Sequence, residues 1–251
     1  MKKKLVFGIT SLVIAGGLLL GLTQTALAYG GPGNGAGKGY GGDTVKTDCT
    51  GLLCLSTSLD LSSTPLSDAE ADSLLYMVEE EKLARDVYQF LADQWGLPIF
   101  ANISAAEQTH MDSVLVLIDR YGLTSPVSAS SGVFTNSELQ ALYTELTTKG
   151  SQSLADALLV GGAIEEIDIR DLQADLAGVT HTDITQVYNN LLSGSYNHLQ
   201  AFSSEYELQT GTTYTPQYMD ATAYQTALDS AGQAGGPVTT NGMGNGRYGR
   251  R

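Results

Sequence analysis

This chain has little cysteine, little positive charge and little long apolar sequence. Two cysteines in 251 residues, Cys49 and Cys54, lie five positions apart in Cys49-Thr-Gly-Leu-Leu-Cys54, which is not the Cys-x-x-Cys spacing of thiol redox motifs. A local disulfide is the expectation in an exported chain, and closing so short a loop contributes roughly 2 kcal/mol through chain entropy. Thirteen basic residues face 27 acidic ones, a net charge of −14. Such a balance repels nucleic acid and anionic membrane and excludes both as partners. No stable membrane span is expected beyond the N-terminus, alternation of strand type is nowhere sustained, and no internal repeat is visible.

The apolar run that does exist begins the chain. Lys2, Lys3 and Lys4 precede Leu5 to Leu22, and Ala26-Leu27-Ala28 offers small residues at a cleavage site, so residues 1–28 are read as a signal peptide of an exported protein. Its removal leaves ten basic against 27 acidic residues, a mature net charge of −17, compatible with attracting cations. Residues 29–58 form a Gly-rich segment that carries both cysteines. Residues 59–228 are about one domain long, and residues 229–251 form a second Gly-rich tail. The glycine-rich runs themselves, Tyr29 to Asp43 and Ala231 to Arg251, cannot bury a core, and both are expected to be disordered.

Within the domain the apolar periods are helical. Ser67 with Glu70 makes a capping box for a helix from Asp68 to about Trp95, stopped by Gly96 and Pro98. A second helix is expected from Asn102 or Ser104 to Tyr121-Gly122. A short one follows at about Asn136 to Lys149, then long ones from Ser151 or Ser153 to Ala177-Gly178 and from His181 or Thr182 to about Leu208. Four long helices, with an extra short one between the second and third, predict an all-α bundle with a crossover.

Helical phase, at about 100° per residue, tests where the ionisable side chains point. Glu81 lies mid-stripe among Leu74, Met77, Val78, Ala84, Tyr88, Ala92 and Trp95, whereas Glu79 and Glu80 are expected on a solvated face. Glu107 and His110 share the face of Ile103, Met111, Val114 and Ile118. Glu165 centres the stripe of Leu158, Ile169 and Leu172, with Asp168 on its rim and Glu166 near its edge. His198 lies among Val187, Leu191, Ala201 and Phe202. Buried carboxylates without partners cost several kcal/mol or stay protonated. A cation shared among them removes both the desolvation and the mutual repulsion. Internal pairing, such as Glu81 with Arg85 or Glu165 with His198, is the competing arrangement. Tyr88 lies on the inward face, as core or as a hydrogen-bonding neighbour of the site.

These residues resemble a known family. The run from Glu81 to Tyr88 and the unit Glu107-x-x-His110 are similar to the first two metal-ligand motifs of rubrerythrin and other ferritin-like four-helix bundles. Glu165-x-x-Asp168 resembles the paired carboxylates of the third helix, and His198 stands in the place of the fourth-helix histidine. The stretch from about Leu74 to Phe202 resembles the DUF2202 family within that group. The resemblance implies a metal site of Glu81, Glu107, His110, Glu165, Asp168 and His198, holding iron as a pair or a single ion, with manganese or zinc as alternatives. Ferroxidase, peroxide or dioxygen chemistry is the implied activity. A metal-binding or storage protein without turnover and an exported scaffold with a vestigial site are the alternatives. A homodimer stays open. Ser195 departs from the pattern, standing where the general motif has glutamate, and the chain lacks the Cys-rich module that passes electrons in rubrerythrins.

Overall fold

The computed structural model describes residues 65–232. The signal peptide, the cysteine pair, the Gly-rich N-terminal segment and nearly all of the C-terminal tail lie outside the described residues. Among the described residues there are six helices and no strand: α1 (Asp68–Trp95), α2 (Pro98–Arg120), α3 (Ser137–Gly150), α4 (Leu154–Leu176), α5 (Thr182–Thr210) and α6 (Ala221–Ser230). The all-α expectation holds. No described helix is long and apolar enough to cross a membrane.

Local chemistry sets the helix ends. Ser67 accepts from the Glu70 N–H while the Glu70 carboxylate accepts from the Ser67 N–H at 3.0 Å, so the capping box closes. Gly96 ends α1 with φ +66°, a conformation that favours glycine. Pro98 does more than stop α1. It is the first residue of α2, where a missing N–H is harmless and φ is already helical, so α2 begins four residues earlier than the expected Asn102. Ser153 and Asn136 cap α4 and α3 as the sequence suggests. The α6 helix was not foreseen. It is ten residues long, buries only Ala227, and has as its start signal Asp220 accepting from the Thr222 and Ala223 N–H groups.

The four long helices pack chiefly as two neighbouring pairs, α1 with α2 and α4 with α5, joined across by contacts of α1 with α4 and α2 with α5. Two apolar clusters fill the interior. Leu74, Met77, Val114, Ile118, Ile169, Leu172, Ile184 and Leu191 make one. Val87, Leu91, Phe100, Ile103, Leu158, Val160 and Phe202 make the other, with α3 contributing Leu139 and Leu146. The carboxylate and imidazole groups of interest belong to neither list of apolar contacts, although all four long helices carry them.

Glu79 and Glu80 are corrected by the structure: neither faces solvent, each being about 95% or more buried. Phase on α1 alone could not show that the 121–136 connection folds back over Glu79, or that Glu80 lines a cavity with residues of α3 and α4. Glu79 accepts the Thr135 N–H at 2.6 Å and the Asn136 N–H at 2.9 Å, just before α3 starts. One turn on, fully buried Lys82 pairs with Asp86, donates to the Ser130 carbonyl at 3.0 Å and sits 4.4 Å above the Phe134 ring. Asp86 also accepts the Gly132 N–H at 2.9 Å. Charged groups of α1 thus satisfy the backbone of a long connection.

Candidate metal centre

Glu81 of α1, Glu107 and His110 of α2, Glu165 of α4 and His198 of α5 converge. Their ligand atoms form two groups, Glu81–Glu107–His110 and Glu107–Glu165–His198, in each of which all atoms lie within 4.8 Å of one another. Glu107 belongs to both. The three carboxylates are almost fully buried, and the imidazole side chains retain 14% and 12% exposure.

The close approaches are ion-pair distances with poor hydrogen-bond geometry. His110 Nδ1 lies 2.8 Å from Glu107 Oε2 and 3.3 Å from Glu81 Oε2. His198 Nδ1 lies 2.8 Å from Glu107 Oε1 and 3.5 Å from Glu165 Oε2. Yet both ring nitrogens, Glu107 Oε1 and Glu81 Oε1 are buried with no partner of hydrogen-bond geometry. Buried polar atoms are almost always satisfied. A cluster in which buried nitrogen and oxygen ligand atoms converge with poor hydrogen-bond geometry is one that a cation would fit, with internal imidazole–carboxylate ion pairing as the arrangement in its absence. The Glu81–Arg85 pair considered from sequence does not form in this way: Arg85 turns outward to Asp86 at 2.7 Å and to Gln108 at 2.6 Å.

Without a cation, electrostatics sort the protons. Burial pushes Glu81 up to about 7 against the pull of His110. Burial and the Glu107 charge push Glu165 up to about 6. For Glu107 burial acts in the same sense, but the imidazoles of His110 and His198 outweigh it and hold the carboxyl well below the usual range. Burial disfavours charge on both histidines. Glu81 and Glu107 nevertheless drive His110 well above its ordinary value, and Glu165 and Glu107 drive His198 up to about 10. An entering cation would displace these protons.

The surrounding residues orient this set. Tyr88, buried on α1, donates to Glu165 Oε1 at 2.5 Å, leaving the other oxygen toward His198. Burial and the Glu165 charge raise the Tyr88 phenol well above its ordinary value, so it stays a donor. The imidazole rings stack at 5.5 Å with a 30° interplanar angle. A Cβ added at Gly194 would lie 2.5 Å from His110 Nε2, so glycine is what admits the ring against α5. Asp168 lies in neither ligand group. Its Oδ2 accepts from Ser195 at 2.5 Å, and its buried Oδ1 has no hydrogen-bond partner. With Glu80, Glu81, Glu107 and Glu165 it lines a cavity of about 10 Å³, room for one water. Glu166, the edge residue of the α4 stripe, points away. It accepts from Tyr214 at 2.6 Å and from the Gln217, Tyr218 and Met219 N–H groups at 2.6–2.9 Å from Oε2. Glu80 as a lining residue and Gly194 as the bed of His110 were missed from sequence. Glu80 directly precedes Glu81, and Gly194 lies one turn before His198, adjacencies that gave the available signal.

Together the fold and the site define a class: an all-helical protein whose long helices bring buried carboxylates and imidazoles to one point. Residues 70–231 match the family described as "Uncharacterized protein domain (DUF2202)". The chain is 44% identical over 176 residues to "Uncharacterized protein MJ0754" of Methanocaldococcus jannaschii, covering 70% of this chain and 95% of the relative. A crystal structure of hypothetical protein MJ0754 is similar to this fold with TM-score 0.65, over 68% of this chain and 98% of the other. The chain belongs to the DUF2202 family.

Proposed function

We propose that this is an exported metal-binding protein of ferritin-like type, holding iron or manganese between its four long helices. Glu81, Glu107, His110, Glu165 and His198 would hold the metal, with Asp168 beside them and Glu107 shared between two positions. The observation that carries this reading is the pair of three-residue groups joined at Glu107, with buried ring nitrogens and carboxylate oxygens that meet without hydrogen-bond geometry. Mixed carboxylate and imidazole ligation suits iron and manganese, with zinc as a substitute. Iron at such a site supplies one-electron chemistry toward dioxygen or peroxide. The chain's own part is to hold the ligands apart in a dry core, to fix Glu165 through Tyr88, and to limit access to molecules of about the size of water. Export rests on Lys2 to Lys4, the apolar run and Ala26-Leu27-Ala28.

A second reading, metal storage or structural metal without turnover, is favoured by the same small cavity, which has room for about one water and none for a larger substrate. The test is metal analysis of protein purified without chelator and reconstituted with iron, manganese or zinc, followed by aerobic iron(II) oxidation and peroxide consumption. The expected result is about two metals per chain, reduced to one or none in Glu107→Gln. Less than about 0.2 metal per chain after reconstitution would overturn both readings, since a preformed ligand set must bind. Bound metal without iron oxidation or peroxide consumption would leave the storage reading.

A further inference from the structure

Gly194 and Ser195 lie on the turn of α5 that faces the site. The structure gives the space beside them to side chains from other helices. The Gly194 position is filled by the His110 ring from α2, since a Cβ there would sit 2.5 Å from Nε2. The Ser195 position is met by Asp168 from α4, with Oγ and Oδ2 2.5 Å apart and both residues buried. The serine hydroxyl also lies 2.9 Å from the Leu191 carbonyl one turn earlier, a contact that restrains its rotamer on the helix. Asp168 is therefore held by one oxygen, while the other is buried without a hydrogen-bond partner in the carboxylate-lined cavity shared with Glu81 and Glu165.

We propose that Ser195 is a positioning residue for the metal centre: its hydroxyl on α5 holds one oxygen of Asp168 and so presents the other, from α4, to the carboxylate cluster. This rests on the metal-site reading above. A glutamate at 195 would not simply add a ligand, because its longer side chain has to enter the space Asp168 occupies. Ser195 and Asp168 act as one unit across α5 and α4. Residues that orient metal ligands typically carry 10- to 100-fold in affinity.

The test is a double-mutant cycle read by manganese(II) binding, with free ion counted by electron paramagnetic resonance and no turnover required. Ser195→Ala and Asp168→Asn are each expected to weaken manganese binding at least ~10-fold, consistent with outer-shell losses. The double variant should match Asp168→Asn alone, because a hydroxyl without its aspartate has nothing to orient. A merely structural role for Ser195 would instead weaken the double variant further. Ser195→Gly deletes the same hydroxyl, and whichever variant keeps the helical circular dichroism of the wild type carries the cycle. Binding by Ser195→Ala within two-fold of wild type, or additive losses in the cycle, would overturn the proposal. Glu107→Gln is the control for the underlying reading: if it too binds manganese like the wild type, the metal centre itself fails. If only the Ser195 and Asp168 variants are silent, the centre stands and the positioning role does not.

Discussion

At the scale of single residues, this protein places charge where charge is costly and leaves it partly unsatisfied. A buried carboxylate normally collects hydrogen bonds, as Glu166 does from three backbone N–H groups and a tyrosine. Glu165, its immediate neighbour, accepts from Tyr88 with one oxygen and turns the other toward His198. Adjacent residues on α4 thus serve opposite purposes, one stabilising a loop and one facing the site. Gly194 belongs at this scale too. Alanine is ordinarily the better helix former by about 1 kcal/mol, but at 194 its methyl would meet the His110 ring at 2.5 Å. Gly194→Ala should therefore leave the metal-free helix content unchanged while weakening manganese(II) binding roughly 10-fold or more, by rotating a ligand. Titration beside circular dichroism reads both; unaltered affinity would mean that the ring has room to move without consequence.

At the scale of elements, buried charged groups satisfy the irregular connections. Glu79, Lys82 and Asp86 of α1 hold the connection between α2 and α3, and Glu166 holds the connection between α5 and α6. Only Ala227 of α6 is fully buried, with Ala223, Tyr224 and Leu228 packed half-buried against the core. The Glu166 carboxylate and the stack of Tyr214 on Tyr224 at 5.7 Å add polar and aromatic attachment to that packing. Glu166→Ala leaves those N–H groups and the Tyr214 hydroxyl without their acceptor. A loss of about 3 kcal/mol is expected, as for breaking a buried charged network by removing one partner. It should be seen in urea unfolding and as faster amide exchange at Gln217, Tyr218 and Met219. Unchanged exchange at those amides would show that α6 is held by other contacts. The metal ligands lie on the opposite side of α4 from Glu166, so manganese binding should survive this change.

At the scale of the whole molecule, acid stability follows from long-range carboxylates. Glu70, near the start of α1, accepts from the Thr180 N–H at 2.9 Å, and its Oε1 lies 2.8 Å from His181 Nδ1 in the α4–α5 connection. Burial would raise its pKa, but His181, the Thr180 N–H and Ser67 hold the carboxyl well below the ordinary carboxylate range. A depressed folded pKa contributes stability above the unfolded value, near 4.3. That stability is lost as pH falls through the folded value. Asp183, depressed by Tyr121 and Arg120 against its own burial, acts in the same sense. Glu70→Gln should cost about 1–3 kcal/mol at pH 7, the range for an unsatisfied buried group. It should also flatten the loss of stability between about pH 5 and pH 2. Urea midpoints across that range read the effect, and a variant with the same acid slope as wild type would place the acid sensitivity elsewhere.

Much of this was legible in the chain. Helical periodicity, the Ser67–Glu70 box and the serine and asparagine caps are local, and local chemistry determines them wherever the helix packs. The inward phase of Glu81, Glu107, His110, Glu165 and His198 follows from the same periodicity, because a face lined with leucine, isoleucine and valine must be buried. What phase could not decide is what comes to meet a helix from outside it. Glu79 and Glu80 looked solvated because nothing in α1 announces the connection that meets Glu79 or the neighbouring helices that enclose Glu80. Pro98 read as a stop because its role as a first helical residue depends on the chain turning back at Gly96. Ser195 carries no carboxylate of its own, and only packing reveals that Asp168 of α4 stands opposite it. Which side chains lie inside was determined residue by residue along each helix. Which of them touch was decided by how the helices meet, since distances between helices depend on side chains far apart in sequence.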